Sequence, residues 1–226
     1  MLLRSALLSA SPKLVSGFTS AALEGASDLG RGASAEAWAA AASALGAPGY
    51  GVALASQVHG RDVLVAERPG LLGEADALVS RQPGLLVAVR VADCVPILAA
   101  GEGSVAAIHA GWRGLALDVI GAAIEAMGGA MVAAVGPCIS AAAYEVGDEV
   151  IDGLRASGVP EEVFVVQGPR RRHADLRAAA AWQLRRAGVS QVDVLDACTF
   201  NDPRLHSHRR SGPLAGRQAG VIGLRS

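Results

Sequence analysis

Two apolar runs, Arg90 to Leu98 and Ser104 to Ala110, are separated by the turn-forming stretch Ala100-Gly101-Glu102-Gly103, and together they read as a β-hairpin. A hairpin pairs residues by register, so it dictates which side chains meet across the sheet. With Gly101 and Glu102 as the loop, Cys94 stands directly opposite His109 on one face, their Cβ atoms about 4.5 to 5.5 Å apart. A thiol and an imidazole at that distance can share one metal ion. A loop of another length separates them.

The 226 residues are 51% hydrophobic and 18% charged, the balance of a compact globular chain with a sizeable core rather than of a disordered one. Aromatic residues make up only 4%, so that core is expected from Ala, Val, Leu and Ile. A net charge of −1 supplies no field for a polyanion, which argues against nucleic acid as a partner. No stretch approaches the roughly 20 uninterrupted apolar residues of a membrane span. Met1 to Leu14 has a faint leader-like flavour, but Arg4, Ser5 and Pro12 interrupt it. Three cysteines suit a reducing compartment better than a disulfide framework. The expected location is the cytoplasm, and the expected assembly a monomer or weak homodimer.

Short β-branched runs recur at 51–55, 62–66, 77–79, 85–91, 95–98, 105–109, 131–135, 163–166 and 192–195, most of them bounded by Gly, Pro, Asp or Ser. Helical segments lie between them. Ser34 can cap Ala35 to Leu45, Leu115 to Met127 carries apolar residues at spacing four before Gly128, and Asp175 can cap Leu176 to Ala187 ahead of Gly188. Hairpins and helices mix without strict βαβ alternation, which predicts an α+β fold over a doubly wound parallel sheet. No linker or repeat divides residues 1–226, so a single domain is expected.

Histidine is scarce, with five copies at 59, 109, 173, 206 and 208. His59 ends the run Val52 to Val58 and precedes Gly60, so its imidazole can project from a strand end. With Cys94 and His109 it offers two nitrogens and one sulfur, a donor set that suits zinc, with copper as a competitor. Three protein ligands leave a fourth position open, as in catalytic rather than structural zinc sites. The same residues also fit a bland reading, with the histidines satisfied in the core and Cys94 a small buried hydrophobe. A third possibility is a Cys94–His109 nucleophilic dyad.

Asp93 precedes Cys94, and the two side chains point to opposite faces of the strand. Asp93 reads either as an acid/base group supporting the site or as a carboxylate paired with Arg90 or Arg113. Gly111-Trp112-Arg113-Gly114 opens a helix whose N–H groups, beside Arg113, can hold an anion, and Trp112 can stack on a base. A second basic cluster runs from His206 through His208, Arg209 and Arg210 to Arg217. Arg170-Arg171-Arg172-His173 reads as a solvated turn, and Cys138 and Cys198 as structural.

Several of these pieces recur together in one known family. Gln57-Val58-His59-Gly60, Ala92-Asp93-Cys94-Val95-Pro96, His109-Ala110-Gly111-Trp112-Arg113-Gly114, Gly136-Pro137-Cys138-Ile139, Tyr144-Glu145-Val146-Gly147, Asp175-Leu176, Gln183-Leu184, and Ser207 through Arg210 with Gly216-Arg217 span most of the chain in order. In them the chain resembles the laccase-domain, multicopper polyphenol oxidase-like proteins of the YfiH type, whose members look like purine nucleoside phosphorylases. The resemblance implies a single four-layer α/β/β/α sandwich with mixed sheets and a zinc held by His59, Cys94 and His109. It also implies phosphorolysis of adenosine, inosine, guanosine or methylthioadenosine, with adenosine deaminase activity at the same site. Small-molecule nucleoside and phosphate are then the partners. The chain departs from the family's opening His-Gly-Phe-x-Thr-Arg, since Ser16-Gly17-Phe18-Thr19-Ser20-Ala21 lacks both the His and the Arg. If that Arg holds an anionic substrate in relatives, this chain handles phosphate without it.

On this reading Cys94, His109, Asp93 and Arg113 are the catalytic residues. Trp112, Arg209, Arg210 and Arg217 bind substrate, with the arginines holding the anion. The alternatives are a Cys94–His109 hydrolase editing a peptidoglycan precursor and a non-enzymatic binding protein whose metal only staples the hairpin. Multicopper chemistry needs several clustered coppers, for which the chain has too few His and Cys.

Overall fold

The β-branched runs become strands in the computed structural model, which describes residues 1–168 and 172–226. Numbered in chain order, β1 (Leu14–Phe18), β13 (Gln218–Leu224), β6 (Leu85–Val91), β2 (Gly51–Ser56) and β4 (Gly70–Glu74) form one sheet in that order. A second sheet runs β12 (Gln191–Val194), β9 (Val132–Val135), β7 (Val95–Ala100), β8 (Val105–Ala110), β5 (Ala77–Ser80) and β3 (Val63–Val65). The ribbon of β10 (Val165–Gln167) and β11 (Arg172–Ala174) stands apart. Both large sheets are mixed. In the first, β2 runs parallel to β4 and β6 while β13 is antiparallel to its neighbours; in the second, β12 and β3 pair parallel and the central strands antiparallel.

Alternation along the strands builds the cores. Leu85, Val87 and Val89 of β6 pack with Leu98 of β7 and Ala107 of β8, whereas Leu86 and Ala88 point the other way onto Trp38, Ala41 and Leu45 around the helix Ala35–Ala44. Likewise Val95, Ile97 and Ala99 of β7 face the helices Val119–Met127, Asp148–Ala156 and Leu176–Arg186. A period of two thus serves different cores from one strand.

The caps act as the sequence indicates. Ser34 accepts from the Ala37 N–H at 3.3 Å and Asp175 from that of Ala178 at 2.9 Å. The expected helix from Leu115 to Met127 is instead two, Trp112–Ala116 and Val119–Met127, broken at Asp118 with φ of 60°. Asp118 is held there by Arg186, at 2.8 Å. Arg172 and His173, expected in a turn, lie in β11; Arg170 and Arg171 fall outside the described residues. The periodicity missed β1, β4, β11 and β13. In β13, Gly220 and Gly223 replace side chains because a Cβ at Gly223 would lie 2.6 Å from the Leu85 carbonyl oxygen.

The hairpin forms with a different register. Pro96 pairs with His109 and Ala100 with Val105, so the loop holds four residues, Gly101 to Ser104, closed by the Gly101 N–H on the Ser104 carbonyl at 2.9 Å. The loop is pinned by its surroundings: Ser104 Oγ donates to the Met127 carbonyl at 3.3 Å, and a Cβ at Gly101 would meet the Gly129 carbonyl at 2.5 Å. Cys94 therefore does not stand opposite His109. Nor is Arg90 to Leu98 one arm: β6 ends at Val91 in one sheet and β7 starts at Val95 in the other.

Candidate metal centre and its cleft

The turn between β6 and β7 carries Cys94. Asp93 adopts φ of 91°, a conformation that costs a non-glycine residue about 1 to 3 kcal/mol unless its surroundings hold it. Three contacts hold it. Thr199 Oγ1 donates to Asp93 Oδ1 at 2.6 Å, the Arg209 N–H donates to Oδ2 at 2.6 Å, and the Ile139 N–H donates to the Asp93 carbonyl at 3.0 Å. The ion pair with Arg90 or Arg113 considered for Asp93 does not form. Its carboxylate instead bends the chain from one sheet to the other and sets Cys94 at the top of β7.

His59 sits in a second left-handed turn, φ 62°, after β2. The N–H groups of Val58, His59 and Gly60 all donate to the buried carboxylate of Asp76, at 3.2, 3.0 and 2.7 Å. Asp76 also takes Nδ1 of His109 at 2.7 Å, while the His109 N–H donates to the Asp76 carbonyl. One carboxylate thus fixes the backbone of the first imidazole and the ring of the second. Burial opposes its ionisation, but His109 and these N–H groups hold its pKa below the usual carboxylate range.

The three side chains converge. Cys94 Sγ lies 3.9 Å from His59 Nε2, the imidazole centroids are 4.8 Å apart at 79°, and one donor atom from each of His59, Cys94 and His109 lies within 4.8 Å of the others. Tetrahedral zinc sets such donors roughly 3.3 to 3.6 Å apart, so the cluster needs only a small contraction around an ion. With Nδ1 held by Asp76, His109 has Nε2 free for the ion, the arrangement of carboxylate–histidine–metal sites. Gly111 lets the chain pass close to the cluster, since a Cβ there would lie 3.1 Å from both Cys94 Sγ and His59 Cδ2 and push on them.

Burial alone would push the Cys94 thiol up, but the His109 imidazolium and hydrogen bonds from both imidazoles pull it down to about 6. Burial likewise works against protonated His109, yet the Cys94 thiolate and Asp76 raise it to about 9. The site favours thiolate. His59 is exposed, Cys94 half-buried and His109 buried, so the cluster opens on one side.

It opens onto a cleft of about 990 Å³. Of the residues expected to bind substrate, Arg209 and Arg217 line it, with the Arg209 guanidinium 5.1 Å from the Tyr144 ring and on the Glu145 carbonyl at 3.2 Å. Trp112, Arg113 and Arg210 do not line it. Trp112 packs against Gly153 of a neighbouring helix, Arg113 lies 4.3 Å over the Trp112 ring, and Arg210 donates to the carbonyls of Thr199, at 2.7 Å, and Phe200, at 2.8 Å. Trp112 and Arg113 were expected at the site from the helix start after His109, and Arg210 from the C-terminal basic cluster, but packing turns their side chains away from the cleft lining.

Tyr144, Arg90 and Arg31 line the cleft and escaped the reading of isolated residues, as did Asp76 behind it. Asp76 left one signal, a lone carboxylate at the head of an apolar strand. Desolvation, with Cys94 nearby, raises the Tyr144 hydroxyl to about 12. Cys138 and Cys198, both free thiols, are joined by a backbone β-bridge outside the cleft, with burial pushing Cys138 up to about 11. His173 and His206 are tied to the carbonyls of Ala141 at 2.7 Å and Ser27 at 2.6 Å. Among the described residues a single His/Cys/Asp/Glu cluster can hold a metal, too few ligands for several coppers. No helix among those residues is long and apolar enough to cross a membrane.

Known proteins share this framework. A Neisseria meningitidis protein of known structure superposes with a TM-score of 0.82 at 31% identity, covering 100% of this chain and 99% of that one. YlmD from Geobacillus stearothermophilus gives 0.82 at 28% identity over 95% and 93% of the two chains. In sequence, a purine nucleoside phosphorylase of Mycobacterium tuberculosis is 40% identical over 191 residues, 80% of this chain and 75% of the relative. The purine nucleoside phosphorylase YfiH of Escherichia coli is 34% identical over 174 residues, 74% and 72% of the two. The family described as multi-copper polyphenol oxidoreductase laccase matches residues 23–225, which include every residue of the cluster and most of the cleft, and the chain belongs to that family.

Proposed function

We propose that this protein is a metal-dependent purine nucleoside phosphorylase, acting on adenosine, inosine, guanosine or methylthioadenosine, with adenosine deaminase activity at the same centre. The observation that carries the reading is the His59–Cys94–His109 cluster open to a cleft of nucleoside size, in a chain whose relatives bear that name. Zinc held there, with copper as competitor, supplies Lewis acidity at the bound substrate.

The chain's own groups do the rest. Asp76 keeps Nε2 of His109 directed at the centre, and Asp93 holds the turn that presents Cys94. In phosphorolysis a phosphate oxygen forms the bond to ribose C1′ while the C1′–N9 bond breaks and its electron pair leaves with the purine. Positive charge on the cleft wall, including Arg217 and Arg209, offsets the charge of the phosphate. The Tyr144 hydroxyl, which stays protonated at neutral pH, is placed to donate a hydrogen bond to the departing purine.

A second reading makes Cys94 a hydrolase nucleophile with His109 as base, perceptible in the Cys94–His109–Asp76 arrangement, where a third group orients the base. It requires activity that resists chelation and rapid alkylation of Cys94. The decisive assay incubates purified protein, with and without chelator, with adenosine and phosphate. Adenine plus ribose phosphate, and inosine, are expected only without chelator; no such product in either sample rejects the proposal.

A further inference from the structure

Three arginines from distant parts of the chain line the cleft, and Arg31 and Arg217 lie near enough to Arg90 to act on its charge. Arg90 lies next to the end of β6, Arg217 precedes β13, and Arg31 stands between Gly30 and Gly32 in the segment before the helix Ala35–Ala44. Arg90 Nη2 donates to the Ala55 carbonyl at 2.7 Å, and Arg217 Nη1 donates to the carbonyls of Ala215 at 2.5 Å and Gly216 at 2.9 Å. Arg31 donates to nothing among the described residues. None of the three forms an ion pair with a carboxylate there, although arginines elsewhere do so repeatedly. Asp28 also lines the cleft, but its Oδ1 is taken by the N–H groups of Gly30 at 2.9 Å and Arg217 at 2.8 Å.

Like charges gathered in a partly buried cleft repel one another. Burial, together with the nearby Arg31 and Arg217, holds Arg90 below the usual guanidinium range. Neutral carbonyls tether two of the stems without cancelling their charge, and most of the planar N–H donors stay available for bidentate contact with an oxyanion. Arg209 also lines the cleft, with its guanidinium over Tyr144 and on the Glu145 carbonyl, but it is not among the charges that act on Arg90.

We propose that Arg31, Arg90 and Arg217 form a subsite for a phosphate group beside the His59–Cys94–His109 cluster. The proposal rests on the phosphorylase reading and names the residues that hold its anion. Two ligands carry the same chemistry: inorganic phosphate, and the 5′-phosphate of a purine nucleotide.

The experiment is calorimetric titration of purified protein, without turnover, by inorganic phosphate and separately by adenosine and adenosine 5′-monophosphate. Arg31→Gln, Arg90→Gln and Arg217→Gln are compared with Arg68→Gln, an exposed arginine outside the cleft. Each of the first three is expected to weaken phosphate-bearing ligands by about tenfold or more, while Arg68→Gln does not. Binding of free phosphate assigns the subsite to a co-substrate; binding of only the monophosphate assigns it to a phosphorylated substrate, and either supports it. Wild-type protein that binds neither, or triad variants that match Arg68→Gln, overturn it. Arg31 is exposed and without packing duties, so Arg31→Gln carries the test if Arg90→Gln does not fold. Phosphate binding without any ribose phosphate product would discard phosphorolysis and keep the subsite. Product formation with unchanged phosphate KM in the variants would do the reverse.

Discussion

The two sides of the cleft are built on opposite rules. On one, polar groups are fully partnered: Asp76 receives three N–H groups and an imidazole, and Asp93 receives a hydroxyl and an N–H. On the other, Arg31, Arg90 and Arg217 form no ion pair among the described residues, and Asp28 beside them accepts from backbone N–H groups. The first side uses its hydrogen bonds to set two strained turns and three donor atoms in place. The second leaves its donors for something outside the protein. A satisfied buried network holds geometry, whereas partly exposed guanidinium groups without a carboxylate partner keep donors for a ligand.

The sharpest break of this contrast is Cys94→Ser, which removes the soft donor. Elemental analysis should show stoichiometric metal lost, and phosphorolysis should fall to background; full metal content in the variant would remove Cys94 from the ligand set. Next, Asp76→Asn offers one oxygen where a carboxylate offered two to three N–H groups and an imidazole. Denaturant unfolding should register a loss of about 2 to 4 kcal/mol, with metal affinity down roughly 10- to 100-fold. A variant as stable as wild type would show that the network is not structural.

Tyr144→Phe should lower kcat for phosphorolysis about tenfold, leaving metal content untouched, because only a donor to the leaving purine is lost. Equal kcat in steady-state assays would strip Tyr144 of that role. Smallest of all, Arg113→Gln should change phosphate KM less than about twofold, since its side chain lies on Trp112 outside the cleft. A large rise would return Arg113 to the site.

Much of the site was legible before any fold. Scarce His near glycines and a Cys at the head of an apolar run marked His59, His109 and Cys94, because few residue types ligate soft metals and such residues stand out in an Ala- and Val-rich chain. The hairpin was legible for the same local reason, though its loop length was not. Tertiary contacts of Ser104 and Gly101 with Met127 and Gly129 set a four-residue loop. Asp76 was harder to see, since its partners lie 16 to 33 residues away and an isolated Asp carries no pattern of its own. Trp112, Arg113 and Arg210, expected from a helix start and a basic cluster, do not line the cleft, because such patterns fix position along the chain but not side-chain direction.

By itself the sequence determined the type of many elements and the donor chemistry, since side-chain periodicity and ligand softness are local properties. Only the tertiary structure decided that Cys94 meets His109 across a bend between sheets rather than across a hairpin pair. It also brought Arg31, Arg90 and Arg217 into one cleft. Those outcomes depend on register and backbone turns held by distant partners, and no local pattern records a partner that is distant in the chain.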